Sequence, residues 1–312
     1  MRRVQFRKRA KQFLSLCLAT VIFSAVTVYS HPSADETFFG ETGKTVICID
    51  AGHGGETDGA EYVYDGVLIK EKDINLKIAM KLQEELLKYE NVEIVMTRTE
   101  DITMELRPRV QYAVDHNADY LISVHNNAPG NNDFTLNGCM VLTTVSHYQA
   151  PTAKLPNIYE VSEKLGLAVV EKLQLLGLNI GTDLGAQLNN GIVRRPYSPE
   201  GYAKTTSYYP DGSVSDYYAL IRFGAEMGLP AIIIEHAYLS NALDYRTYLE
   251  TEESIAALAR ADAEGIAQAL GLKRKQEEAY IPLSVLPYRM PPSVPKAVQD
   301  GAQNYRILRL GY

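Results

Sequence analysis

Cysteine and positive charge are both in short supply in this chain. Three cysteines in 312 residues are too few to staple a fold, and 31 Lys and Arg stand against 38 Asp and Glu, a net charge of −7. A nucleic-acid partner, which asks for a basic patch or stripe, is thereby excluded. The basic charge that exists is placed unevenly. Met1 to Lys11 holds six positive charges and no negative one, and Phe13 to Tyr29 then runs without any charge. That is the pattern of a secretory signal, with Val28 and Ser30 offering a cleavage region, or of a membrane anchor if it stays uncleaved. Cys17 lies within it as apolar filler, since Leu16 stands where lipid attachment wants a small residue. Without residues 1–30 the chain keeps 25 basic against 38 acidic side chains, a net of −13. General attraction to an anionic surface does nothing for such a protein, so its targeting falls to a specific site, a partner or a tether. Cys48 and Cys139 sit in apolar, strand-like runs and are read as buried thiols rather than a disulfide. No internal repeat is visible.

Residues 44–272 alternate strand-like and helix-like segments, which predicts an α/β fold: a single domain with a mostly parallel or mixed sheet flanked by helices. Strands are expected at Thr45–Asp50, Val92–Arg98, Tyr120–His125, Gly138–Thr144 and Ala231–Glu235. Helices are expected at Asp73–Lys88, Leu106–Asp115, Ile158–Leu176, Ser215–Met227 and Glu252–Leu270, with Asp73 as an N-cap, Pro108 in a first turn and Gly271 after a helix end. Residues 31–43 read as a linker. Residues 177–214, rich in Gly, Asn, Tyr and Pro, read as a long surface loop inside the domain, and residues 273–312 as a C-terminal tail without a core of its own.

Three polar residues close segments of this pattern. His53 ends Val46-Ile-Cys-Ile-Asp50-Ala-Gly-His53 and His125 ends Tyr120-Leu-Ile-Ser-Val-His125, both apolar runs of the kind that forms buried parallel strands. Glu71 precedes an amphipathic helix in which Ile74, Ile78, Leu82 and Leu86 recur every four positions. Side chains at such strand ends meet at the carboxyl edge of the sheet. Two imidazoles and one carboxylate, with a fourth position left for water, make an open zinc site. Glu235 follows Ile232-Ile-Ile, and a carboxylate there is costly unless it meets a metal, a cation or a water-filled site. Taken alone, Glu71 is also a charge favoured at a helix N-terminus, and His116, His147 and His236 are read as hydrogen-bonded residues without a catalytic role.

Gly52-His53-Gly54-Gly55, Lys70-Glu71-Lys72-Asp73-Ile74-Asn75-Leu76, Ser123-Val124-His125-Asn126-Asn127-Ala128 and Ile232-Ile-Ile-Glu235-His-Ala-Tyr-Leu-Ser240-Asn241 resemble, in order and spacing, the signatures of the zinc-dependent N-acetylmuramoyl-L-alanine amidases, bacterial cell-wall hydrolases. The resemblance spans residues 44–272. It implies a phosphorylase/hydrolase-like fold, Zn2+ held by His53, Glu71 and His125, Glu235 as the catalytic glutamate, and substrate contacts from Arg222 and Asn127. It further implies peptidoglycan as the partner, cut between the lactyl group of N-acetylmuramic acid and the L-alanine of the stem peptide, outside the cytoplasm, in the cell wall or periplasm. No wall-binding repeat array accompanies it, and no regulatory protein partner is named by the sequence. The chemistry agrees: an amide needs an activated water, a polarised carbonyl and a proton for the departing nitrogen, and zinc with a glutamate supplies all three.

Three departures from the family pattern stand out. Asp50-Ala-Gly replaces the commoner Asp-Pro-Gly. Glu235-His236-Ala237 stands where Glu-Gly-Phe is more usual, placing a titratable ring beside the catalytic position with scope to tune its pH profile. A longer stretch, 194–214, brings Tyr and Arg residues upstream of Arg222, and 197–209 is expected to form a mobile flap that binds substrate or covers the zinc. Two other readings remain open here: a zinc carboxypeptidase-like peptidase, which also uses two His and one Glu, and a non-catalytic wall-binding protein on the same fold.

Overall fold

The computed structural model describes residues 43–129, 134–181 and 187–276. The signal segment 1–30, the linker up to residue 42 and the tail from 277 onward lie outside the described residues. The chain runs β1 (Thr45–Ala51), β2 (Glu61–Tyr64), β3 (Val67–Lys70), α1 (Glu71–Leu86), β4 (Val92–Met96), α2 (Leu106–Asp115), β5 (Tyr120–Asn127) and β6 (Met140–Leu142). It continues through α3 (Ile158–Leu175), β7 (Gln187–Asn189), β8 (Ile192–Arg194), α4 (Ala219–Met227), β9 (Ala231–Tyr238), the single turn α5 (Ala242–Asp244) and α6 (Glu252–Leu270). Among the described residues no helix is long and apolar enough to cross a membrane.

Seven strands form one mixed sheet in the order β4-β1-β5-β9-β6-β8-β7. β4, β1, β5 and β9 are parallel, and β6 joins β9 antiparallel. β1 and β9 are buried along their whole length, which is why their sequences are continuous apolar runs rather than alternations. The two-residue pleat sorts them between two helical layers. Ile47, Ile49, Ile122, Ile232 and Ile234 pack in one core with α1, α3 and α6. Cys48, Leu121 and Ile233 pack in the other with α2 and α4. His125 and Glu235 are register partners across β5 and β9, so both project on the side of Leu121 and Ile233, past the last apolar layer.

Two expectations need correction. α1 begins at Glu71 itself, so Asp73 lies in its first turn instead of capping it. The orphan N–H groups of Glu71 and Lys72 find tertiary acceptors, the carbonyls of Ala60 and Asp58, and these do the work of a side-chain cap. Residues 61–70, for which no element was expected, form a hairpin of β2 and β3, with Asp65 and Gly66 at φ 51° and 81° in its turn. Within 177–214, β7 and β8 extend the sheet, so the stretch is not wholly loop. Residues 273–275 pair with the turn after α1 through Glu90 N to Lys273 O and Lys275 N to Lys88 O, so the first residues of the tail dock on the domain. Cys48 and Cys139 are buried free thiols, and burial pushes both pKa values up.

Candidate functional site

His53, Glu71 and His125 meet at the carboxyl edge of the parallel strands, with one ligand atom from each lying within 4.8 Å of the others. His125 Nδ1 is 3.0 Å from Glu71 Oε1 and His53 Nε2 is 3.2 Å from Oε2. The second of these is close enough for an ion pair but too poorly aligned for a hydrogen bond, and the buried Nε2 of His53 has no other acceptor. The imidazole rings stand edge to face, 4.9 Å apart. Two glycines make room for this cluster. A Cβ at Gly52 would lie 2.2 Å from His125 Nε2, and one at Gly59, where φ is +71°, would lie 2.5 Å from Glu71 Oε2.

Glu71 has no solvent exposure. Burial alone would push its carboxyl up, but the two imidazoles outweigh this and hold it well below the usual carboxylate range. Its oxygens also accept from Ala60 N at 2.9 Å, Asn75 Nδ2 at 3.1 Å and Asn126 N at 3.3 Å. His125 is lowered, chiefly by burial. His53 feels burial too, yet the Glu71 charge overrides it and raises its pKa. One carboxylate therefore faces two imidazoles that cannot both be protonated beside it. A buried orphan nitrogen, a fixed carboxylate and a second imidazole form a donor set that suits a divalent cation.

What holds His53 in place was not foreseen from the sequence. Its backbone is left-handed, φ 61°, a conformation costing roughly 1–3 kcal/mol unless the surroundings enforce it. Two buried arginines do so. Arg109 donates to the carbonyls of Ala51 and His53, each at 2.8 Å, and to Asp50 Oδ1 at 2.7 Å. Arg98 donates to the carbonyls of Ala51 at 2.8 Å and Gly52 at 2.9 Å. Asp50, which also accepts from Thr97 and Ser123, resists burial through Arg109 and stays ionised, its pKa lowered. The only sequence signals were a lone Arg closing the β4 run and an Arg two residues after Arg107 in α2.

Glu235 is buried beside this cluster, with His125 and Met140 as its register neighbours on either side. A cavity of about 110 Å3 opens next to the histidines, lined by Gly52, His53, His125, Thr103, Met104 and Leu220 among others. Asn127, Arg222 and Glu235 are not among the residues that line it. Asn127 Nδ2 reaches Met140 Sδ at 3.6 Å. Arg222 donates to the carbonyls of Asp216 and Tyr217 and lies over the Tyr197 ring, so its contacts tie down its own neighbouring loop. Arg195 behaves alike, stacking on Tyr217 and Tyr202 while donating to Gly201 O.

The 197–209 stretch carries hydrogen bonds to its neighbours. Tyr197, Ser207 and Ser215 exchange backbone hydrogen bonds. Buried Asp216 accepts from Thr144 Oγ1 at 2.7 Å, Val145 N at 2.7 Å and Tyr209 OH at 2.6 Å. His236 points away from the cavity to Asp262, and so does not present a titratable ring to substrate.

The sequence model of the family described as N-acetylmuramoyl-L-alanine amidase matches residues 47–268. The N-acetylmuramoyl-L-alanine amidase AmiC of Escherichia coli O6:H1 is 29% identical over 218 residues, 64% of this chain and 47% of AmiC, so the chain spans about half of that relative. The N-acetylmuramoyl-L-alanine amidase CwlM of Bacillus licheniformis is 26% identical over 235 residues, 75% of this chain and 72% of CwlM. Among solved structures, the catalytic domain of CwlV, an amidase of the same name from Bacillus (Paenibacillus) polymyxa var. colistinus, superposes with a TM-score of 0.52 at 26% identity, covering 73% of this chain and 99% of that domain. A match over most of its length, on the fold and around the cluster described above, means that the chain belongs to the N-acetylmuramoyl-L-alanine amidase family of hydrolases.

Proposed function

We propose that the chain is a zinc-dependent peptidoglycan amidase that acts outside the cytoplasm, hydrolysing the bond between the muramic acid lactyl group and the L-alanine of the stem peptide. The observation that carries this reading is the convergence of His53, Glu71 and His125 within 4.8 Å at the sheet edge where Glu235 also ends. Held by those three residues, zinc supplies Lewis acidity toward the scissile carbonyl and brings the pKa of water to ~7. The rest of the chemistry belongs to the chain. Glu235 accepts the proton of the attacking water on a carboxylate oxygen and returns it to the departing L-alanine nitrogen, base first and acid second. Its burial keeps bulk water from competing for that proton. Glu71 keeps its charge throughout, because three N–H donors and two imidazoles surround it.

The test is digestion of purified peptidoglycan with and without a chelator, with the new termini identified by mass spectrometry. A free lactyl carboxylate paired with a new L-alanine amine, both lost on chelation, is the expected result. Release of a C-terminal residue would instead mean the carboxypeptidase-like reading, and the absence of any new terminus would mean the non-catalytic one.

A further inference from the structure

The β5–β9 ladder slips immediately after the residues that matter most. His125 pairs with Glu235, but Asn127 pairs with Tyr238, so two steps along β5 are matched by three along β9. Such a bulge loosens the ladder and re-aims the side chains beside it. The extra residue falls at His236 and Ala237, directly after Glu235. There the His236 ring, with no solvent exposure, crosses between the strands: Nδ1 lies 2.9 Å from the carbonyl of His125. A carbonyl only accepts, so Nδ1 carries the proton. Nε2 lies 2.7 Å from Oδ2 of Asp262 on α6, also fully buried, which holds the ring in that orientation. Burying an imidazole and a carboxylate together between a sheet and a helix is expensive compared with packing two apolar residues there, and no step of the proposed reaction uses either group.

We propose that His236 and Asp262 are positioning residues: the imidazole held by Asp262 ties β9 to β5 across the slip and so fixes where Glu235 stands relative to His125. The inference rests on the reading of His125 as a metal ligand and Glu235 as the proton acceptor. Its physical basis is that a base misplaced by about 1 Å costs on the order of 10²-fold in rate, while a loosened bulge permits displacement on that scale. Both strand ends are tied by one side chain, so losing it moves the proton acceptor and a ligand together.

The test measures kcat and KM on a soluble muramoyl peptide, together with the visible absorption of the cobalt(II)-substituted protein, for wild type, His236→Leu, Asp262→Asn and the double variant His236→Leu/Asp262→Leu. The double variant removes the buried charge along with its partner, and so retains the fold where His236→Leu alone does not. Loss of the tie is expected to lower kcat about 10–100-fold with KM held within about threefold, and to change the cobalt spectrum. Asp262→Asn leaves a neutral imidazole bonded at both nitrogens and is expected to keep kcat within about threefold. A folded double variant with wild-type kcat and cobalt spectrum overturns the proposal, and so does a loss above tenfold in Asp262→Asn. If the wild type itself cuts no peptidoglycan, the amidase reading fails separately, and the cobalt spectra still report whether the tie shapes the site.

Discussion

Replacing Gly52 with alanine isolates the geometry of the metal site from the stability of the fold. Gly52 does not occupy the left-handed region, so an L side chain fits its backbone, and the whole cost comes from what the new methyl meets. It would lie 2.2, 2.3 and 2.7 Å from Nε2, Cε1 and Cδ2 of His125, where ordinary contact begins at 3.4 Å. The ring must therefore retreat by about 1.2 Å, against a tolerance of about 0.2 Å in metal–ligand distances. Even disturbed outer-shell partners cost about 10–100-fold in metal affinity, so Gly52→Ala is expected to lose at least that much. The fold suffers less. Overpacking of this kind costs about 1–3 kcal/mol, offset by about 0.4–1 kcal/mol from a stiffer unfolded chain. At about 2–4 °C per kcal/mol for a domain of this size, Tm falls by no more than about 10 °C. Isothermal titration of the chelator-treated protein with zinc, beside calorimetry of the metal-free form, gives both numbers. A folded Gly52→Ala protein with wild-type zinc affinity would refute the assignment of His125 as a ligand.

The other predictions concern neighbouring groups. Glu235→Gln is expected to keep zinc and Tm while losing ~10²–10⁴-fold in turnover; a zinc-loaded variant with wild-type turnover removes Glu235 from the mechanism. Arg109→Met strands the buried Asp50 charge, for which about 3–5 kcal/mol of stability is the usual loss, and pairing it with Asp50→Asn should recover part of the Tm; no recovery would mean that the carbonyl contacts, not the ion pair, dominate. The pH dependence of stability tests Asp216, whose pKa burial raises from 3.8 to about 6. The folded state then holds the proton more tightly than the unfolded one, so this group stabilises below pH ~4 and its contribution disappears as pH rises through ~6, a change of at most about 3 kcal/mol. Asp244 acts in the same direction, so Asp216→Asn should flatten the fall in Tm between pH 4 and 6.5 without abolishing it, and an unchanged profile would rule out the shift.

Much of this molecule was legible because its information is local. The strands β1, β5 and β9 announce themselves as continuous apolar runs, α2 and α6 fall where periodicity puts them, and the candidate ligands His53 and His125 stand at the ends of two of those runs. The hairpin also had its signal, Asp65-Gly66 between apolar residues, hidden by the brevity of its strands. Other features depend on contacts distant in sequence. Nothing near Arg98 or Arg109 says that their guanidinium groups will grip the same three-residue turn 46 to 58 positions away. Asp73 looked like a cap because only the folded chain brings the Asp58 and Ala60 carbonyls to the start of α1. Arg222 and the tyrosines around it carry the composition of a binding surface, and in the folded chain their cation–π contacts also hold the loop together.

The distances along the chain between the three proposed ligands have a consequence of their own. His53, Glu71 and His125 lie 18 and 54 residues apart, so an unfolded chain offers a metal no more than scattered single donors. Zinc bound there as proposed distinguishes sharply between the two states, and at a free concentration 1,000 times its dissociation constant it would add about 4 kcal/mol to the native one alone. For an enzyme acting outside the cell as proposed, where proteases consume whatever opens, the ion that equips it for attack on the wall would also set its lifetime there. Stripping the metal would both silence the protein and expose it to digestion.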